Sequence, residues 1–307
     1  MATLLPFPVP PKAPAAMPEP VLRVHGLRKA FERREVLRGV DWEVPAGRVI
    51  GLLGRNGAGK TTLLRCLLGL TPRDAGTIEM FGAPMGEPGG ERLHRIGFVP
   101  QSFDLFPWMK VRAYLDFTAA FYPRWNHALA ERLLKEWELD GRQKIGQLSQ
   151  GQRQKLAIVR AIAPEPDLLV LDEPVASLDP QARRAFMGEL LALMGAPGKT
   201  VIFSTHITAD LERAEADIAL LRDGRIQFTR PLAELKARLC HAVLNRAAGW
   251  PAPPALAGVL KSRVAGASLH LLLEDVPPER LHQLAKDEDA SLRIDMPTLE
   301  DLFVELA

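Results

Sequence analysis

The apolar residues of this chain gather into short continuous runs, each of which ends at a glycine or a polar residue. The runs in RVIGLLG, LHRIGFVPQ, DLLVLDEP and TVIFSTH have the length and composition of buried parallel strands. Helical patterns separate them, in KTTLLRCLLGL, in residues 111–140 around a break at FYPRWN, and between the last two runs. This alternation predicts a doubly wound α/β sheet, which binds ligands at the carboxyl ends of its strands.

Both ends of the chain depart from this pattern. Residues 1–20 are rich in Pro and Ala, which predicts a disordered tail. A composition break falls at GWPAPPALAG, after which come the strand-like SLHLLLED and SLRIDM and a last helix, TLEDLFVELA. We therefore expect a main domain over residues 21–240 and a small α+β module over residues 241–307.

Composition excludes several classes of function. Of the 307 residues, 47% are hydrophobic and 25% charged, as in soluble globular proteins, and a net charge of +2 with dispersed basic residues argues against binding to nucleic acid. Cys66 and Cys240 lack metal-site or disulfide-motif spacing, which favours reduced structural thiols in the cytoplasm. No apolar run approaches the roughly 18 residues of a membrane span, and the first twenty residues lack the features of a signal peptide.

A glycine-rich stretch, GRNGAGKT at residues 54–61, carries the clearest chemistry. It follows a predicted strand and opens a predicted helix, as a phosphate-binding P-loop does. Its backbone N–H groups can close around phosphate oxygens, the lysine neutralises the β/γ charge, and the threonine hydroxyl can bind Mg²⁺. The predicted ATP-binding residues of this stretch are Gly54, Arg55, Asn56, Gly57, Ala58, Gly59, Lys60, Thr61 and Thr62.

Two further strand ends carry polar residues. Asp172 and Glu173 end LLVLDE, where burial of adjacent carboxylates costs several kcal/mol unless a cation or hydrogen bonds compensate. A Mg²⁺–nucleotide complex provides that compensation, so we expect Asp172 to hold the metal through water and Glu173 to orient or deprotonate the attacking water. His206 ends TVIFSTH and is predicted to donate to the γ-phosphate.

A second anion-binding position is predicted in QLSQGQRQKL, where Ser149 and Gly151 stand at the mouth of a helix. With the motifs above, in this order, residues 21–226 resemble the ATP-binding subunit of an ABC transporter. The resemblance implies an ABC-type P-loop NTPase domain, a mixed sheet with a helical subdomain at about residues 102–160. It also implies that LSQGQ is the signature motif, which caps the γ-phosphate held by a second subunit. Its residues are Ser149, Gln150, Gly151 and Gln152.

The resemblance assigns three more residues. It makes Gln101 the glutamine that reaches Mg²⁺, together with Thr61 and Asp172. Asp179, in SLDP, corresponds to a loop that crosses the dimer interface. Phe31 stands where the family places an aromatic ring under adenine, a stacking contact worth about 1–3 kcal/mol; the other interpretation is a core residue. The chain departs from the family pattern at Gln150, where glycine is usual, and at residues 176–177.

FTAAFYPRWN and TLEDLFVELA resemble segments of ATPases that pair with ABC-2-type membrane subunits. This implies an ATP-hydrolysing exporter subunit on the cytoplasmic face of the cell membrane, attached to separate transmembrane subunits. A second ATPase subunit would complete a homodimer or a heterodimer. A partner groove is predicted from aromatic residues after Gln101, namely Phe103, Phe106, Trp108, Tyr114, Phe117, Phe121, Tyr122 and Trp125.

Two other functions compete with this prediction. A soluble ABC-type ATPase could act in a non-transport complex on ribosomes or DNA, but the chain has one P-loop and near-neutral charge. It also has no heptad run between Lys60 and Ser149. An ATP-binding module that does not hydrolyse is the second alternative. The presence of Glu173 and His206, which are predicted to support hydrolysis, argues against it.

Overall fold

Three β-sheets and the helices around them form the described part of the chain. The computed structural model describes residues 19–85, 90–102, 105–175, 178–194, 198–205, 211–212, 214–254 and 256–295. Residues 1–18 of the predicted tail, the predicted closing helix TLEDLFVELA, His206, Phe103 and residues 176–177 lie outside these ranges, whereas Pro20 begins a strand.

The central sheet has six strands in the order β10-β9-β3-β8-β7-β6. They are β3 (Val49–Leu53), β6 (Ile96–Val99), β7 (Leu168–Asp172), β8 (Thr200–Ser204), β9 (Asp217–Arg222) and β10 (Arg225–Pro231). All neighbours pair in parallel except β10 and β9, which are antiparallel. Every residue of β7 and β8 is buried, because helices and a second sheet cover both faces, and this explains the continuous apolar runs.

A second, antiparallel sheet has the order β2-β1-β4-β5. Its strands are β1 (Pro20–Phe31), β2 (Arg34–Pro45), β4 (Ala75–Met80) and β5 (Ala83–Pro84). A core cluster joins this sheet to one face of the central sheet and contains Leu63, Leu64 and Leu67 of helix α1 (Lys60–Leu67). Because α1 begins at the P-loop, its packing between the two sheets holds that loop rigidly.

The helices that follow share a core cluster with the opposite face of the central sheet. They are α2 (Val111–Ala119), α3 (His127–Glu136), α4 (Gln150–Ile162) and α5 (Pro180–Met194), and α2 and α3 pack against α4. The predicted break at FYPRWN lies between α2 and α3, where the Asn126 side chain accepts a hydrogen bond from the Leu129 N–H at 2.8 Å and caps α3. Helix α4 approaches β6 closely at Gly97, where a Cβ would lie 2.4 Å from the carbonyl oxygen of Ala161.

The third sheet contains the last strands in the order β12-β13-β11-β14, all antiparallel. They are β11 (Leu239–Asn245), β12 (Val259–Ala265), β13 (Ser268–Glu274) and β14 (Ser291–Asp295), and helices Leu232–Arg238 and Pro278–Asp287 accompany them. The pattern predicted β13 and β14 but missed β11, β12 and both helices. Because β11 is an interior strand, the composition break at 249–258 lies within the chain that forms this sheet rather than before it. The division of the chain at residue 240 stays a prediction.

Candidate nucleotide site

The P-loop occupies residues 54–59, between the end of β3 and the start of α1. Gly57 and Gly59 have φ angles of 81° and 103°, which L-residues with side chains rarely adopt. Gly59 is the N-cap of α1, and no side chain accepts a hydrogen bond at this cap. The first turn of α1 therefore presents backbone N–H groups to the space in front of the loop, as anion binding requires.

Lys60 is the cation of this loop. Its side chain is buried, and Nζ donates to the carbonyl oxygen of Gly54 at 2.7 Å and to that of Arg55 at 3.3 Å. Burial lowers the pKa of Lys60, while the carboxylates of Glu173 and Asp172 act in the opposite direction and do not cancel the effect. The loop thus holds a poorly solvated ammonium group, which a phosphate oxygen would stabilise.

The acidic pair lies at the carboxyl end of β7. Asp172 is 1% exposed, and its Oδ1 accepts a hydrogen bond from the Ser204 hydroxyl at 2.7 Å. The Glu173 N–H donates to the same hydroxyl oxygen at 2.9 Å. Glu173 has a φ of 49°, in the left-handed region, so the extended conformation of β7 ends at Asp172.

Sequence reasoning missed Ser204. The only available signal was a serine that ends an apolar strand, and this became informative through the register of the sheet, in which Asp172 pairs with Ser204. One hydroxyl therefore connects both predicted acidic residues to the neighbouring strand.

Gln101 lies close to the second carboxylate. It follows β6, and its Nε2 donates to Oε2 of Glu173 at 3.2 Å. These two residues and the P-loop line one cavity of about 1180 Å³. Its lining consists of Phe31, Glu32, Arg34, Val36, Arg55, Asn56, Gly57, Gly59, Lys60, Thr61, Thr62, Gln101 and Glu173. Four separate parts of the chain thus meet where the sequence placed the nucleotide.

Phe31 ends β1 at the rim of this cavity. Its side chain is 49% exposed, which excludes the alternative of a core residue. An exposed ring beside a phosphate loop is placed to stack on a base.

Residues 149–152 stand apart from this cavity, since none of them is among the lining residues described above. Ser149 is the N-cap of α4, and its hydroxyl accepts from the Gln152 N–H at 3.2 Å. The Gln152 side chain in turn accepts from the Ser149 N–H at 2.9 Å, which completes a capping box. The capping box orders the start of α4 but leaves it outside the chain's own P-loop cavity.

Asp179 caps the next helix. Its Oδ1 accepts hydrogen bonds from the N–H groups of Gln181 and Ala182, both at 2.9 Å. These bonds lower the pKa of Asp179, and the bond from Ala182 has the larger effect. His206 lies outside the described residues, so its predicted contact with phosphate stays a prediction.

The groups around the cavity fit a Mg²⁺–nucleotide complex. Lys60 supplies a buried positive charge, and the loop supplies N–H groups to phosphate oxygens. Thr61 lines the cavity and Asp172 lies beside it, and both carry hard oxygen donors of the kind that Mg²⁺ prefers. A strand–P-loop–helix unit beside two strand-end carboxylates defines the protein as a P-loop NTPase.

Comparison with known proteins identifies the family. A family model described as "ABC transporter" matches residues 37–176. The chain is 34% identical to the Nod factor export ATP-binding protein I of Burkholderia lata, over 93% of this chain and all of that protein. The solved structure of an ATP-binding subunit of an ABC transporter superposes with a TM-score of 0.65 at 28% identity, covering 71% of this chain and 92% of the other. A dimeric ATP-binding cassette bound to ADP and Pi gives a TM-score of 0.61 at 26% identity, over 69% and 98%.

The chain therefore belongs to the ABC transporter family, of which it is an ATP-binding subunit with the ABC ATPase fold. This confirms the predicted family, fold class and enzyme class, an ATPase that binds ATP. The roles of individual residues stay predictions. Within the described ranges, no helix combines the length and the apolar composition that crossing a membrane requires.

Proposed function

We propose that this protein hydrolyses ATP to drive export through separate ABC-type transmembrane subunits. The contact between Gln101 and Glu173 carries the proposal, because it places a carboxylate and an amide together at the P-loop cavity. The relatives that are named as export proteins support the direction of transport and favour a transporter over the soluble alternative.

The chemistry follows from the groups around the cavity. The P-loop N–H groups and Lys60 bind the β- and γ-phosphates and orient the terminal phosphoryl group. Thr61, Gln101 and Asp172 would hold Mg²⁺, Asp172 through water, and the bound ion would neutralise charge on the phosphate oxygens. Glu173 orients the attacking water and accepts its proton, and the Gln101 amide holds the carboxylate in place for this step. His206 is proposed to donate to the γ-phosphate.

The site is completed by a second ATPase subunit. Residues 149–152 do not line the chain's own cavity, yet they begin an ordered helix whose N-terminus suits a phosphate. We therefore infer that they cap the γ-phosphate bound by a partner subunit in a head-to-tail dimer. The similarity to a dimeric cassette supports this arrangement, in which Asp179 would lie near the dimer interface.

An exposed aromatic patch is proposed to bind the transmembrane subunit. The patch consists of Phe106, Trp108, Phe117 and Phe121, which are 37%, 69%, 46% and 60% exposed. Phe106 contacts Trp108 and Phe117 with ring centroids at 5.3 and 5.9 Å, and Phe117 contacts Phe121 at 5.1 Å. A continuous surface of this kind is typical of a protein interface. Binding there would place the protein at the cytoplasmic face of the membrane.

The substitution Glu173→Gln tests the hydrolytic role. It keeps the shape of the side chain but removes the base, so we expect turnover to fall by about 10²-fold or more while ATP binding persists. Turnover is measured by phosphate release and binding by calorimetry.

Glu165→Gln provides a matched control. Glu165 also has a positive φ, 52°, and also accepts a hydrogen bond from a side-chain amide, that of Asn126 at 3.0 Å, but it does not line the cavity. Its substitution should leave turnover unchanged. Near wild-type turnover in Glu173→Gln, or an equal loss in both variants, would show that Glu173 is not the base.

A further inference from the structure

Phe31 is an exposed ring at the end of a strand, and such a ring would ordinarily sample several rotamers. In this protein a lysine restrains it. Lys29 lies two positions earlier on β1, so both side chains are on the same face of the strand. The Lys29 ammonium lies over the Phe31 ring, 5.3 Å from its centroid, although the lysine itself is buried.

Asp74 holds this lysine from another part of the chain. It lies between the end of α1 and the start of β4, and its Oδ1 accepts from Lys29 Nζ at 2.8 Å. Its Oδ2 accepts from the Ala30 N–H, and the Asp74 N–H donates to the Arg28 carbonyl oxygen at 2.9 Å. The hydrogen bond from Lys29, and to a smaller extent the one from Ala30, lowers the pKa of Asp74, so the carboxylate is ionised at neutral pH.

These contacts connect the two halves of the nucleotide site. Phe31 lies at the rim of the cavity and Lys60 in the P-loop, and helix α1 runs from Lys60 to Leu67, shortly before Asp74. The Lys29 ammonium therefore covers one face of the Phe31 ring, and Asp74 connects that ammonium to the segment after α1. The pair of Lys29 and Asp74 thus connects the strand end that carries Phe31 to the segment that follows the P-loop helix.

We propose that Lys29 and Asp74 are positioning residues for the nucleotide base, which hold the Phe31 ring ready to stack. The proposal rests on the function proposed above and adds a source of affinity that acts on the base alone. A ring already held in its bound orientation loses less conformational entropy on binding than a free one. Neither residue has to touch the nucleotide for this effect.

The test compares a nucleotide with a ligand that lacks a base. Full-length wild-type protein and the variants Lys29→Met and Asp74→Asn are titrated with ATP and with inorganic tripolyphosphate, both in the presence of Mg²⁺. We expect Lys29→Met to weaken ATP binding by about three- to fivefold, the size of a cation–π contact at a partly exposed site, with Asp74→Asn acting in the same direction. Tripolyphosphate binding should stay at its wild-type value.

Asp41→Asn is the matched control for Asp74→Asn. Like Asp74, Asp41 accepts from a backbone N–H of β1: its Oδ1 accepts from the Gly26 N–H at 2.9 Å, and the residue also pairs with a basic side chain, His25. It lies away from Phe31 and does not line the nucleotide cavity. This control should bind both ligands as the wild type does.

A Phe31→Leu background separates a positioning role from a structural one. If Lys29 acts through the ring, Lys29→Met should not weaken ATP binding further in the Phe31→Leu background. Lys29→Arg in the native background keeps the positive charge and should bind ATP with wild-type affinity. The proposal is overturned if Lys29→Met weakens ATP and tripolyphosphate equally, if it changes neither, or if its effect persists in the Phe31→Leu background. Wild-type protein that binds neither ligand would instead overturn the proposed function.

Discussion

Replacing Ser204 with alanine removes the hydroxyl that joins the two acidic residues at the end of β7. This oxygen is completely buried, donates to Asp172 Oδ1 at 2.7 Å and receives the Glu173 N–H at 2.9 Å. After the change, the Glu173 N–H can still reach the backbone carbonyl oxygen of residue 204, which lies 3.2 Å away. The main loss therefore falls on Asp172, a carboxylate that is 1% exposed.

The size of the effect follows from that charge. A hydrogen bond to an ionised group contributes about 1.5–3 kcal/mol, and a buried acceptor that loses its donor costs a similar amount. We expect Ser204→Ala to lower the free energy of unfolding by about 2–3 kcal/mol. Turnover should also fall, since Asp172 loses the hydroxyl that positions it beside Glu173, but less than in Glu173→Gln because both carboxylates remain.

Denaturant unfolding measures the stability of the variant, and phosphate release measures its turnover under conditions where it is folded. Thr200→Val is the matched control. Thr200 begins the same strand, is 1% exposed, and accepts a neutral hydrogen bond from the Gly47 N–H at 3.0 Å. Its loss should cost about 0.5–1.5 kcal/mol and leave turnover unchanged. Equal destabilisation in both variants, with normal turnover in Ser204→Ala, would refute the reasoning.

Three further predictions concern other parts of the molecule. Gly97→Ala should destabilise the protein by about 1–3 kcal/mol in denaturant unfolding, because its Cβ would meet the Ala161 carbonyl oxygen, whereas Gly188→Ala, on an open face of α5, should stabilise it by about 0.5–1 kcal/mol. ATP binding at alkaline pH should take up protons, seen by calorimetry in two buffers, because phosphate reverses the lowered pKa of Lys60. In the protein without ATP, the pKa of Lys60 lies below the ordinary value of 10.5. At a pH between these two pKa values the unfolded chain binds more protons than the folded protein, so the free energy of unfolding rises with pH. Trp108→Glu should abolish co-purification with the transmembrane subunit while the ATPase activity of the isolated subunit persists; retained co-purification would contradict the proposed interface.

The local motifs were predictable because their chemistry is contiguous. A phosphate loop needs several N–H groups, a lysine and a hydroxyl within a few consecutive residues. Residues 54–61 can therefore be recognised as a phosphate loop without knowledge of the other parts of the chain. The buried strands β3, β7 and β8 were readable for a similar reason, since burial on both faces produces an unbroken apolar run. The third sheet was harder to predict, because buried positions in β11 follow no regular alternation, β12 has only exposed or partly exposed positions, and the two strands lie on either side of a Pro-rich connection.

The sequence by itself thus determined the family, the phosphate loop and the buried strands that carry the site. Only the tertiary structure decided which side chains meet, as Ser204 does with Asp172, Gln101 with Glu173, and Lys29 with Asp74. The physical reason is that parallel strands are joined by long crossovers, so their register is set by packing of the helices and sheets and not by any local preference. A hydrogen bond between residues 32 positions apart, such as that between Ser204 and Asp172, leaves no mark in the pattern of either segment.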